Sequence, residues 1–180
     1  MGGGEVTVLH PPGQADLYPM EVRGRIRRDH RADYRQAARD LRGGPSEVVS
    51  IQHEYGIFGG ADGEYVLDLV EGLSQPAVTT LHTVLRRPSP RQHLILRELA
   101  RASAAVVVMS HSAARLLVEV YEVDLAALQV IPHGVPDLPF DDPSRCKERL
   151  GLAGRRIVLS FGLLGPGKGY EYMIEAMATV

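Results

Sequence analysis

The chain has 180 residues, 44% of them hydrophobic and 23% charged, which suits one soluble globular domain and excludes a disordered or fibrous protein. A formal charge of −2 excludes whole-molecule attraction to nucleic acid or acidic membranes and leaves only local patches open. The single cysteine, Cys146, excludes an internal disulfide and a cysteine-rich metal site, so a reducing compartment is expected.

The start, Met-Gly-Gly-Gly-Glu-Val, lacks the basic and apolar regions of a signal peptide. Apolar stretches such as Ala104–Met109 are too short to cross a bilayer. A cytoplasmic location without an integral membrane segment is therefore expected.

In chain order, Val6–Leu9 reads as the first strand. The segment Glu21–Arg42 carries eight Arg and four acidic residues, a local excess of about +4. Its second half has apolar positions at Tyr34, Ala37, Ala38 and Leu41, which predicts a helix with one buried face. The basic face is then a solvated surface or a binding surface for an anionic partner.

Further strands are expected at Val48–Ile51, Ala77–Leu81, Ala104–Met109, Leu128–Ile131 and Ile157–Phe161. Several are apolar on both faces, as in strands covered by helices on either side. Between them fall helical stripes: Tyr65, Val66, Leu69, Val70 and Leu73, then Ile95, Leu99 and Ala102. Leu116, Leu117, Val120 and Tyr121 form a third, with Ser110 or Ser112 placed to cap it. Tyr172, Met173, Ala176, Met177 and Val180 form the last. Strand alternating with helix predicts an α/β fold with a parallel, doubly wound sheet.

The stretch from Pro132 to Ser144 is dense in Pro and acidic turn residues, so a boundary is expected there. Beyond it lie a short helix at Ser144–Leu150 and one strand–loop–helix unit, too little to bury a core.

Five of the seven histidines, His10, His53, His82, His111 and His133, follow predicted strands, while His30 and His93 fall in helical segments. In an open parallel sheet that edge is where ligands bind, which favours a polar cleft over chance enrichment of loops. One His per strand, with no chelating pair close in sequence, argues against a metal.

His53-Glu54-Tyr55-Gly56-Ile57-Phe58-Gly59-Gly60-Ala61-Asp62-Gly63 places four glycines in eight residues between a strand and a helix. Glycines there let a ligand approach the backbone and its free amides; a merely flexible connection is the alternative. Phe161-Gly162-Leu163-Leu164-Gly165-Pro166-Gly167-Lys168-Gly169 is a second such loop. Its Lys is one of two in the chain, against eighteen Arg. Backbone N–H groups and a Lys suit phosphate. The near P-loop spacing fails at Gly169, which has no hydroxyl for Mg²⁺, so nucleotide hydrolysis is disfavoured.

The run Ile131-Pro132-His133-Gly134-Val135-Pro136, with Arg156-Ile157-Val158-Leu159-Ser160-Phe161-Gly162 and Gly167-Lys168-Gly169-Tyr170-Glu171, resembles the domain junction of retaining glycosyltransferases of the family-4 type. Upstream, Gln52-His53-Glu54-Tyr55-Gly56-Ile57-Phe58-Gly59-Gly60, Thr79-Thr80-Leu81-His82-Thr83 and Val107-Val108-Met109-Ser110 resemble its N-terminal domain in order.

The resemblance, which covers about Pro19 to Val180, implies two Rossmann-like domains facing across a cleft, the first for the acceptor and the second for the sugar nucleotide. Residues 1–137 would be the acceptor-side domain, 138–150 a linker and 151–180 the first unit of an incomplete donor domain. It implies that His82 is catalytic, and that His53, Glu54, Gly59 and Gly60 line the acceptor side. Gly162, Lys168 and Gly169 would bind the donor phosphates, with Ser110, His133, Gly134 and Glu171 at the cleft or hinge. A nucleotide-sugar and a carbohydrate or small-molecule acceptor would be the substrates, with no cofactor, metal or nucleic acid.

Three departures stand out. Leu163 and Leu164 occupy the place of the family's second diphosphate cation, and the family's first strand would precede Val6. The paired glutamates for nucleotide and sugar would follow Val180. Little transfer by this chain alone is therefore expected, with self-association through the last unit. A non-catalytic phosphate- or sugar-binding module and a P-loop-like hydrolase are the alternatives.

Overall fold

The computed structural model describes residues 4–13, 17–162, 164–165 and 168–179. It divides into two compact units, Met1–Gly134 and Val135–Val180.

The first unit is an alternation of strands and helices: β1 (Val6–His10), β2 (Val22–Arg27), α1 (Arg31–Gly43), β3 (Val49–His53), α2 (Val66–Gly72), β4 (Ala77–Leu81), α3 (Pro90–Ala102), β5 (Ala105–Val108), α4 (His111–Tyr121) and β6 (Leu128–Val130). Strands β3-β4-β5-β6 form a parallel sheet in sequence order, with Ile51 opposite Thr79 and Thr79 opposite Val106. Each neighbouring pair is joined through a helix, as parallel pairing requires. The parallel sheet expected from the sequence is present, but in two pieces: β1 and β2 pair in a separate two-stranded parallel sheet.

Two apolar clusters hold this unit together. In one, Ile26 of β2, Tyr34 and Ala38 of α1, Ile51 of β3 and Val66 and Leu69 of α2 meet Ile95 and Leu99 of α3. In the other, Leu81, Val106 and Val108 of the sheet meet Leu96 of α3 and Leu117 and Tyr121 of α4. Helix α3 serves both clusters because Ile95 and Leu96 are adjacent on a wide apolar face. Ser89 starts it with a reciprocal cap: its hydroxyl accepts from the Gln92 N–H and the Gln92 side chain accepts from the Ser89 N–H, with Pro90 at the first helical position. Ser110, not Ser112, caps α4, accepting from the Ala113 N–H at 3.1 Å.

Strand β2 was hidden by its arginines. Val22, Gly24 and Ile26 alternate with exposed Arg23, Arg25 and Arg27, the period-2 pattern of a half-covered strand. The basic face of α1 is partly neutralised: Arg31 and Arg35 both reach the Asp68 carboxylate of α2, at 2.5 and 3.4 Å.

The second unit holds α5 (Pro143–Arg149), capped by Asp142, and α6 (Tyr170–Ala176). Ile157–Phe161, expected as a strand, forms none; this corrects the sequence reading. Among the described residues of this unit there is no strand to pair with it, and backbone in a β conformation becomes a strand only through a neighbour's hydrogen bonds. Leu159 is 83% and Phe161 98% exposed, and no described side chain of the unit is buried.

Candidate active site

The carboxyl ends of β3 and β4 lie side by side in register, His53 opposite Leu81, and the His82 N–H donates to the His53 carbonyl at 3.0 Å. This pairing brings two side chains of the Gln52–Tyr55 segment against two that follow β4. His82 Nε2 lies 2.8 Å from Gln52 Oε1. The amide nitrogen of Gln52 is turned toward Ser50 Oγ and Thr80 Oγ1 and its oxygen toward His82, which pairs with that oxygen in the tautomer carrying the proton on Nε2. In that tautomer the ring presents a lone pair at Nδ1, and the side chain is exposed. Thr83 Oγ1 donates to Glu54 at 2.5 Å, and the Tyr55 N–H donates to the other carboxylate oxygen at 3.0 Å. The carboxylate is thereby fixed, half-buried, beside the strand ends.

His133, following β6, comes to 6.2 Å from the His82 ring. His111 is the first residue of α4 and Ser110 its cap, so the Ser110 hydroxyl is already committed to the helix. Gly134 sits in open space at the end of the first unit. His10 ends β1 in the other sheet, bonded through Nδ1 to the Tyr18 hydroxyl at 2.8 Å. Among the described residues no three His, Cys, Asp or Glu come together in a way that could hold a metal ion.

His53 is placed differently from the rest. It is fully buried, stacked on Phe58 at 5.6 Å and edge-on to Tyr55 at 5.1 Å, and neither ring nitrogen has a partner. Burial pushes its pKa down to about 4, and the ring is neutral at pH 7. It braces the glycine loop from behind.

That loop is pinned to the end of β2. Tyr34 Oη donates to the Arg28 carbonyl at 2.8 Å and accepts from the Gly59 N–H at 2.9 Å. A Cβ at Gly59 would meet the Arg28 carbonyl oxygen at 1.9 Å, so this position tolerates no side chain. Gly60 and Gly63 take φ of 82° and 83°, with Asp62 between them at 56°. Asp62 is held there by Ser89 Oγ and Gln92 Nε2, each 3.3 Å from its carboxylate. Beside the loop opens a pocket of about 320 Å³, bounded by Arg28, Asp29, Tyr55, Phe58 and Asp62.

Sequence reasoning passed over Gln52, Thr83, Arg28 and Asp62 as site residues. Gln52 and Thr83 stand inside the motifs, each one residue from a histidine singled out, and only the strand pairing shows that Gln52 meets His82 and Thr83 meets Glu54.

In the second unit, Gly162 takes a φ of 136° and Gly169 one of 76°. The Lys168 N–H turns back to the Gly165 carbonyl at 3.4 Å, and Glu171 is exposed in the first turn of α6. Leu163, Pro166 and Gly167 of this loop lie outside the described residues, as does Val180 of the last stripe.

A parallel α/β unit with polar side chains gathered at its strand ends defines the open-sheet class of α/β domain. A sequence profile described as Glycosyltransferase Family 4 matches residues 2–137. The chain belongs to glycosyltransferase family 4. No curated protein matches it. No helix among the described residues is long and apolar enough to cross a membrane.

Proposed function

We propose that this chain carries the acceptor side of a cytoplasmic sugar transferase that uses a nucleotide-sugar donor, retains the anomeric configuration and needs no metal ion. In this reading 1–137 is the acceptor-side domain, 138–150 a linker and 151–180 the opening of the donor side. The observation that supports it most is the knot of Gln52, Glu54, His82 and Thr83 at the ends of β3 and β4.

In the transfer, the bond between the sugar C1 and the diphosphate oxygen breaks as the acceptor oxygen bonds to C1. The acceptor hydroxyl would pass its proton to the His82 imidazole, and the nucleoside diphosphate leaves with the electron pair. His82 would receive a hydrogen bond from the acceptor hydroxyl at Nδ1, since Gln52 holds the proton on Nε2. Gln52 is thus a positioning residue. Glu54, Gly59 and Gly60 would shape the acceptor loop, with His53 behind it and His133 beside His82. Lys168, with the backbone of Gly162 and Gly169, would offset charge growing on the leaving diphosphate. Ser110, Gly134 and Glu171 would complete the cleft and hinge.

Binding of UDP- and GDP-hexoses, followed by ligand-observed NMR, tests the donor half. Lys168→Ala is expected to weaken binding at least about tenfold. Unchanged binding in that variant would contradict the assignment. Phosphate release from Mg-ATP in place of sugar-nucleotide binding would contradict the function.

A further inference from the structure

Strands β4 and β6 stand two places apart in the sheet, about 10 Å, a gap that two imidazole side chains can reach across. The histidines that follow them do so: the His82 and His133 ring centres are 6.2 Å apart, and both side chains are exposed. No chelating pair is close in sequence, but the sheet supplies one from distant positions.

The pair has the features of a metal-binding one. The His82 Nε2–H is spent on the Gln52 carbonyl oxygen at 2.8 Å, which holds the ring and leaves Nδ1 as its only lone pair. This is the second hydrogen bond that a metal-bound imidazole ordinarily makes, present here before any ion. His133 makes no hydrogen bond to any described residue, so either of its nitrogens can serve as the donor atom. Imidazoles sharing a tetrahedral ion through bonds of about 2.0–2.1 Å have ring centres about 5 Å apart, so a turn of the His133 side chain that brings it about 1 Å closer completes the bite. The Glu54 carboxylate, held by Thr83 next to His82, adds negative charge at the same strand ends. Among the described residues no third His, Cys, Asp or Glu joins the pair, so water completes the coordination. Imidazole selects zinc, nickel and copper ions over Mg²⁺, which takes oxygen ligands.

We propose that His82 and His133 bind a divalent transition-metal ion of the zinc type, and that this ion inhibits the protein by taking the Nδ1 lone pair of His82. Binding stands on the geometry alone; inhibition rests on the reading of His82 as the group that receives the acceptor proton. The ion is an inhibitor and not a cofactor, and the transfer itself still needs no metal.

The ¹⁵N-labelled chain is titrated with ZnCl₂ in a neutral, non-chelating buffer. The amides of His82, Thr83, His133 and Gly134 are expected to shift saturably, with a Kd below about 100 μM. His82→Ala and His133→Ala, both at exposed positions, are each expected to weaken this binding at least about tenfold. His133→Gln replaces His133→Ala if the latter loses its dispersed spectrum. Mg²⁺ at about 10 mM leaves the same amides unmoved.

The inference is overturned if Zn²⁺ leaves these amides unmoved, if a folded His133 variant binds it as wild type does, or if Mg²⁺ displaces it. Undiminished sugar transfer at saturating Zn²⁺ would overturn the inhibition. Zn²⁺ binding that both variants lose, without nucleotide-sugar binding, would leave the metal site assigned and remove the transferase reading. Nucleotide-sugar binding without Zn²⁺ binding would do the reverse.

Discussion

Residues 48–72 and 157–176 have the same local recipe: a β-branched run, a glycine-rich loop and an amphipathic stripe. In the first, Val49–His53 pairs with β4, Tyr34 staples the loop and α2 packs against α1. In the second, the run stays unpaired and its apolar side chains stand in solvent. The difference is not in the recipe but in the neighbours. A strand needs a second strand for its N–H and C=O groups, and an amphipathic helix needs a face to cover, so identical patterning yields structure only where a core is supplied.

Hydrogen exchange separates the two regions most widely. Amides of β3, β4 and β5 are expected to be protected by about 10⁴-fold or more, and those of residues 157–161 by less than about tenfold. Comparable protection in both would erase the contrast.

Within the ordered region, the loop staple is the place to break it. Gly59→Ala drives a Cβ into the Arg28 carbonyl and is expected to cost about 3 kcal/mol in urea unfolding, whereas Gly165→Ala, which meets open space, costs less than about 0.5 kcal/mol.

Acid acts on the same loop through His53. Its folded pKa of about 4 lies below the ordinary 6.5, so between those values the unfolded chain binds a proton that the native chain refuses. Stability present above pH 6.5 is lost as the pH falls, by about 3 kcal/mol at pH 4. His53→Leu should flatten this part of the curve, and a variant with the wild-type slope would refute the assignment.

Tyr34→Phe removes both bonds of the staple and leaves the Arg28 carbonyl and Gly59 N–H unmatched; a loss of about 2 kcal/mol is expected. Phe161→Ser, at a 98% exposed position, should not move the main transition at all.

Much of the fold was legible because it is written in short-range pattern. Ala77–Leu81 is a strand with the expected ends, and Ser110 caps α4 as its place before an apolar stripe suggested. β2 is not legible in the sequence because Val22 and Ile26 are its only apolar positions, set among three arginines and a glycine. Ile157–Phe161 failed for the opposite reason: its pattern is sound, but pairing is a long-range property. At the site, the histidines could be found from their place after strands. That His53 turns into the core while His82 stays exposed depends on the loop folding over one and not the other, which no local signal carries.

The central claim is that His82, held by Gln52, serves a sugar-transfer reaction. It is tested by mass-spectrometric detection of glycosylated product from UDP- or GDP-hexose and a neutral sugar, comparing wild type, His82→Ala and Gln52→Ala. Product formation is expected to fall about 10²-fold or more in His82→Ala and less in Gln52→Ala. Equal product from wild type and His82→Ala would contradict the claim.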